Sequence, residues 1–466
     1  MSEKLKDKHW FEALWQRFAR QPRSNAPIEI IIGIDYGTRF TKIAVGREGQ
    51  EPEVWTAPAG AALIPSIVYI TDDGDVLPRP NGAPAGAIPI EYLKMLLAKP
   101  HDSIFDLPSS ILAGEKRENV IKALAALFLA EIIRTVRKSE QEKPHLRDAT
   151  IRWLVNVGVP VEHYDAPERE VFREVASVAF TWADSPPPDF KVATVARAYQ
   201  QLVPTIDRDT TPASVFPEVA AALTEYIRDP NRPDGLYYGF CDIGGGTIDG
   251  AIFRLHRTSG RAQLAILSAS VAPYGTAAVA RAMAGKFEGN LSADKASALS
   301  SRIESLLTDK QPPPMAEQDV AAMALKKHEA EPRTDVQNFV RRFVNEARLK
   351  RNVNGHTFAD PLTGKEIELR FFLAGGGADS GWYRTALSLD PKDNQAFYGV
   401  NKLRLETVKR SAEFRGSDFP RFVIALGLTN MPDDLEEASQ LLPRTIKKKP
   451  PLPERTGIRS ITKDDM

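Results

Sequence analysis

The chain has 466 residues, 42% hydrophobic and 26% charged, enough for two to three cores of ordinary globular composition. Lysine plus arginine equals aspartate plus glutamate at 61 each, which leaves no bulk electrostatic argument for nucleic acid or any other polyanion. A single cysteine, Cys241, excludes an intrachain disulfide and fits a reducing cytoplasm, and the seven scattered histidines show no metal-ligand spacing.

Residues 1–27 read as a separate leader. HWFEALWQRF puts Trp10, Phe11, Leu14, Trp15 and Phe18 on one helix face, with basic flanks and Pro22 as a stop. Such a stripe docks on the protein's own surface, on a protein partner or on a membrane surface; the first is the ordinary case, and the membrane is not favoured. The start MSEKLKDKHW lacks the apolar core of a signal peptide. In GIDYGTRFTKIAV, from Gly33 to Val45, apolar residues lead into Asp35, a glycine turn with Thr38, and apolar residues again. This is a β-hairpin pattern whose turn N–H groups suit an anion and whose carboxylate suits a divalent cation. LPRPNGAPAGAIPI, from Leu77 to Ile90, is a surface loop, and EYLKMLLA places Lys94 on a short helix. The apolar stretch Val120 to Val136 is broken by Lys122 and Glu131, which suits a buried helix rather than a bilayer span. WLVNVGVPVEHYD, from Trp153 to Asp165, reads as a buried strand ending in a turn. FPEVAAALTEY puts Glu218 in a helix's first turn, and RDPNRPDG, from Arg228 to Gly235, is a turn-rich crossover.

A second hairpin of the first one's pattern follows. FCDIGGGTIDGAIF, from Phe240 to Phe253, carries Asp242, then Gly244, Gly245, Gly246 and Thr247, with Cys241 as a packing residue in the strand. Residues 286–346 are polar and helical with a break at QPPP, and NEARLKRN carries Glu346, Arg348 and Lys350. FFLAGGGADSGWYRTAL, from Phe371 to Leu387, is strand, glycine turn (Gly375, Gly376, Gly377) and helix; PRFVIALGLTN, from Pro420 to Asn430, is a final apolar helix. From 432 the chain is a Pro/Lys-rich tail, in which PPLPER matches a polyproline ligand no better than chance allows.

The paired hairpins resemble the two phosphate loops of the actin, sugar-kinase and heat-shock-chaperone ATPase superfamily. DIGGGTID, from Asp242 to Asp249, is similar to the second phosphate loop of the DnaK-type chaperone ATPase domain, and the Trp153 to Asp165 strand and the Phe371 to Leu387 turn resemble that domain too. The resemblance covers about residues 30–430. It implies an α/β fold of two ribonuclease-H-like lobes with a nucleotide cleft between them, lobe I at 28–232 and lobe II at 233–431, with a small outer subdomain at about 286–346. It implies ATP and Mg2+, with Asp35 and Asp242 beside the metal. Gly37, Thr38, Gly244, Gly245, Gly246 and Thr247 would act as phosphate donors. Glu218 would polarise the attacking water and Lys94 would reach the γ-phosphate, the other reading of each being a solvent-facing helical charge. Gly375, Gly376, Gly377, Glu346 and Lys350 would line the adenosine. Two departures stand out: Arg39 replaces a second threonine and points to a phosphate or to solvent, and the adenine-packing arginine after the third glycine turn is missing.

About 36 residues follow the resemblance, too few for a peptide-binding domain. The expectation is a stand-alone DnaK-like slow ATPase in the cytoplasm, a nucleotide-dependent switch on a protein partner. An actin-like filament or scaffold protein, a small-molecule kinase and a nucleotide-binding pseudoenzyme are the alternatives.

Overall fold

The computed structural model describes residues 27–431 except 59, 79–84, 102–106, 165–166, 225, 227–236, 259–260, 288–291, 309–319, 351–368, 389–402 and 409–418. The leader stripe, the crossover at 228–235, the QPPP break and the tail lie outside the described residues.

The alternating apolar run after residue 27 forms β1 (Ile28–Tyr36), which turns into β2 (Phe40–Arg47), with β3 (Glu53–Val54) and β4 (Ile64–Pro65) added along β2. A small sheet of β5 (Val68–Ile70), β6 (Val76–Leu77) and β7 (Ile88–Ile90) follows. β8 (Ile151–Val159) and β9 (Ala213–Pro217) complete the first large sheet, in the order β3-β2-β1-β8-β9. β1 is antiparallel to β2 and parallel to β8, and β8 is parallel to β9. The second large sheet contains β10 (Tyr237–Ile243), β11 (Ile248–Thr258), β12 (Arg261–Ala272), β13 (Leu369–Ala374) and β14 (Leu403–Thr407). Its order is β12-β11-β10-β13-β14, with β10 antiparallel to β11 and parallel to β13, and β13 parallel to β14. The two sheets therefore share one order and one pattern of directions.

Period-two alternation decides what each strand offers to each face. In β1, Ile30, Ile32, Ile34 and Tyr36 join a core with the helices Arg117–Gln141, Glu168–Asp184 and Val192–Leu202. The Arg117–Gln141 helix buries the apolar stretch read from the sequence, and among the described residues no helix is long and apolar enough to cross a membrane. In β10, Tyr237, Cys241 and Ile243 join a second core with the helices Thr276–Gly285, Ala293–Thr308, Val320–His328, Ala330–Lys350 and Gly381–Leu387. The remaining faces share a third core: Ala44 of β2, Tyr238 and Phe240 of β10 and Phe253 of β11, around the helices Glu218–Ala222 and Phe419–Leu428.

The helix expected to close the second half thus packs mainly on the first sheet. Phe419–Leu428 lies along β1, β2 and β8 and against Glu218–Ala222, touching β13 as well. The close fit needs Gly427, since a Cβ there would stand 1.8 Å from the Ala221 carbonyl oxygen. The predicted turn after β8 is a short helix, Val161–Tyr164, and Glu162 in it accepts a 2.6 Å hydrogen bond from the Val271 N–H of β12.

Candidate functional site

Asp35 and Asp242 occupy matching places. Each is the penultimate residue of the leading hairpin strand, on the face turned to the shared core. The registers match as well. Tyr36 faces Thr41 and Ile243 faces Ile248, so four residues, 37–40 and 244–247, link the last paired positions of each hairpin. The difference lies in the partner strand: Asp35 faces Lys42, whereas Asp242 faces Asp249. Lys42 Nζ donates to Asp35 Oδ2 at 2.6 Å. Two carboxylates face each other in the second hairpin, where cross-strand like charges repel unless a cation or proton intervenes.

The turns meet. Thr38 Oγ1 and Thr247 Oγ1 are 3.2 Å apart. Ser66 Oγ donates to the Gly37 carbonyl at 2.7 Å and fixes the first turn. The second turn is fixed by a helix start: the Thr276 and Ala277 N–H groups donate to the carbonyls of Gly244 and Gly245 at 2.9 and 2.8 Å. A trans peptide carries its N–H opposite its carbonyl, so the Gly245 and Gly246 N–H groups point away from that helix. The positive end of the Thr276–Gly285 helix also faces this turn.

A cavity of about 340 Å³ opens at the turns, within the range of small-ligand sites. Its lining includes Asp35, Thr38, Arg39, Lys42, Lys94 and Asp242, with Gly245, Thr247 and Asp249 from the second hairpin. It lies at the carboxyl ends of β1 and β10, where parallel-sheet proteins habitually place ligands.

Lys94 and Glu218, expected as separate contributors, are joined: Lys94 Nζ donates to Glu218 Oε1 at 2.6 Å, and both are buried. Glu218 follows β9 at the start of its helix, as the sequence suggested. Neither is the solvent-facing helical charge of the alternative reading. Glu218, Asp242 and Asp249 bring carboxylate oxygens within 4.8 Å of one another. One oxygen of each, Glu218 Oε2, Asp242 Oδ1 and Asp249 Oδ1, has no hydrogen-bond partner among the described residues. Burial pushes the Glu218 carboxyl up to about 7, Lys94 opposing and the charges of Asp35 and Asp242 adding to it. Burial likewise lifts Asp242 to about 6, against the opposing field of Lys42. Asp249 is raised well above the usual range by burial and the Glu218 charge. Lys94 is pulled down by burial and raised more by Glu218, Asp249 and Asp35, so its ammonium stays charged.

The third glycine turn reaches the site in part. Gly376 lines the cavity; Gly375 has φ +83°, and a Cβ on it would stand 2.3 Å from Asp242 Oδ1. Arg421, from the Phe419–Leu428 helix, lies over Gly376 and lines the cavity, so a cation does stand by this turn, from another segment than the sequence comparison suggested. The helix carrying Glu346 and Lys350 packs on β11 and β12, and Glu346 is exposed and not part of the cavity lining. Ser301, Glu304, Ser305 and Thr308 line the cavity from the Ala293–Thr308 helix instead.

Arg39 is partly exposed but paired rather than free in solvent. It forms an ion pair with Glu304, whose Oε1 accepts from Thr276 Oγ1 at 3.0 Å. Cys241 is buried, and burial pushes its thiol up, which suits a packing residue. No family model matches the chain.

Proposed function

We propose that the chain is a two-lobed ATPase of the actin-like fold, nearest the DnaK type, that binds ATP with Mg2+ between the hairpin turns and acts as a nucleotide-controlled switch on a protein partner. One observation carries this reading: two sheets of one topology present matched Asp–glycine–Thr hairpins whose turns meet across a cavity. Three antiparallel strands continued by two parallel ones is the ribonuclease-H-like pattern that such a duplication requires.

The donor set fits a hard divalent cation, since three buried carboxylates close together each leave an oxygen unpartnered. Asp242 and Asp249 would hold Mg2+, which when bound supplies positive charge to phosphate oxygens. The Gly245 and Gly246 N–H groups, Thr38 and Thr247 would hold the phosphate chain. Asp35 keeps Lys42 charged and in place at the same end of the cavity. Lys94 holds Glu218 by Oε1 and leaves Oε2 for a water. A carboxyl titrating near neutrality is suited to accept that water's proton, which makes Glu218 the candidate general base. Ser301, Ser305, Thr308 and Arg421 would meet the sugar and base.

A switch needs a movement to transmit. Here the ligand would touch both sheets and the helix packed between them, so occupancy is coupled to the angle between the halves.

Calorimetry with Mg-ATP on the purified chain tests the reading: one-to-one saturable binding is expected. A folded protein that takes up no nucleotide at millimolar concentration overturns it. Light scattering on ATP addition separates a switch, which stays monodisperse, from a filament-forming protein, which assembles.

A further inference from the structure

Within the turns, Arg39 departs from the pattern the hairpins repeat: its counterpart in the second turn is Gly246, not a cation. Its stem crosses the opposite turn. A Cβ on Gly245 would stand 2.8 Å from Arg39 Cδ, so Gly245 is glycine where Arg39 passes over it. The guanidinium ends on Glu304, a residue of the other half of the chain, and its side chain remains 36% exposed.

We propose that Arg39 determines triphosphate specificity: it leaves Glu304 for the terminal phosphate when a nucleoside triphosphate enters, and it has no such partner in a diphosphate. The inference rests on the ATP-binding reading given above and sharpens it. Four features support it.

Arg39 directly follows Thr38, whose hydroxyl stands 3.2 Å from Thr247 where the two turns meet, so its guanidinium is tethered at the place proposed for phosphate. A guanidinium matches two oxygens of a phosphate in a fork, and a terminal phosphoryl group carries more charge than a carboxylate. Glu304 is not abandoned when Arg39 departs, because Thr276 Oγ1 still donates to it. The pair is also not needed to hold the halves together, since Arg281 donates to the Tyr92 hydroxyl at 2.5 Å across the same boundary and stacks over its ring. Glu304 thus acts as a resting place for a cation that would otherwise sit unpaired among the phosphate donors.

The competition between Glu304 and phosphate gives two variants opposite signs. Removing the arginine weakens triphosphate binding; neutralising its carboxylate competitor strengthens it. A pair that only closed the cleft would move both variants the same way.

The experiment is calorimetry on the full chain with magnesium and either ADP or a non-hydrolysable ATP analogue, for the wild type, Arg39→Ala, Arg39→Lys and Glu304→Gln. Arg39→Ala is expected to lose about tenfold to a hundredfold in affinity for the triphosphate analogue and to hold its ADP affinity within about twofold. Arg39→Lys falls between, because an ammonium cannot fork. Glu304→Gln gains affinity for the triphosphate analogue. Equal losses for both nucleotides in Arg39→Ala, or no loss, overturn the inference, as does a loss in Glu304→Gln. A wild type that binds neither nucleotide overturns the ATP reading itself, whereas a wild type that binds both with Arg39→Ala unaltered overturns only the role of Arg39.

Discussion

Glu218 is held at one oxygen and free at the other, in a site where it is 1% exposed. Its neighbours decide its protonation, so changes there report on its role. Glu218→Gln keeps the volume and removes the base; nucleotide affinity should hold while turnover falls about 100-fold or more, read by phosphate release. Lys94→Met leaves the Glu218 carboxylate buried without its counter-charge. A loss of about 3–5 kcal/mol in urea denaturation at pH 8 is expected, smaller at pH 6 where the carboxyl takes up a proton. In the ligand-free wild type the sign follows from raised acids. Glu218 at about 7 and Asp242 at about 6 bind protons in the folded chain at pH values where the unfolded chain, titrating near 4.5 and 3.8, does not. Above pH 7 both are charged and their burial cost is present in full; as pH falls through 7 and 6 that cost is relieved, so the melting temperature should rise between pH 8 and pH 5. Added Mg2+ should raise it more at pH 8 than at pH 6, since cation and protons compete for the same oxygens. A melting temperature that falls steadily from pH 8 to pH 5 contradicts this.

The hairpin is the element in which sequence spoke most directly. Asp, glycine turn and threonine between apolar runs require a tight turn wherever they stand, and both hairpins form with the turns expected. Lys42 and Asp249 belong to no motif of their own but are readable in the same way. Once each turn is given four residues, register alone places Lys42 opposite Asp35 and Asp249 opposite Asp242. Asp249→Asn removes one of the two facing charges, and should stabilise the ligand-free protein while weakening Mg2+-dependent nucleotide binding; thermal melts with and without magnesium read both. The wall of the cavity on the Ala293–Thr308 helix was less legible. Ser301, Glu304, Ser305 and Thr308 repeat at i, i+3, i+4 and i+7, opposite buried Leu299, Ile303, Leu306 and Leu307, a polar stripe that normally faces water. Only the tertiary arrangement turns it toward the cavity. The likeness of the charged triplet around Glu346 to an adenosine-contacting helix rests on local residue types, and local types do not say which face a helix presents. The Lys94–Glu218 pair was invisible for the same reason, its members standing 124 positions apart.

At the scale of the whole molecule the duplication is in topology rather than in letters. The two sheets repeat strand order and direction, yet outside the hairpins the sequence shows no repeat, because a sheet of given order demands only alternation and apolar volume from each strand. What makes one unit of the two is the pair of helices Glu218–Ala222 and Phe419–Leu428 in the shared core. Gly427→Val should cost about 1–3 kcal/mol or more by forcing them apart, and should lower nucleotide affinity without touching a ligand contact; denaturation and calorimetry on the same sample check both. The Phe419–Leu428 helix also sets a clock on biosynthesis. It covers β1 and β2 but is made near the end of the described chain, and at roughly 5–20 residues per second about 20–80 s separate the two on the ribosome. For that interval Gly33, Ala44 and the inner face of the first sheet lack this helix, and for the first part of it, until β10 and β11 are made, Asp35 has no second hairpin to meet. A nascent chain released before residue 419 should therefore be cleaved by protease within β1 and β2 at sites that the full-length product protects. The order of emergence makes the Phe419–Leu428 helix the step that commits the first strand.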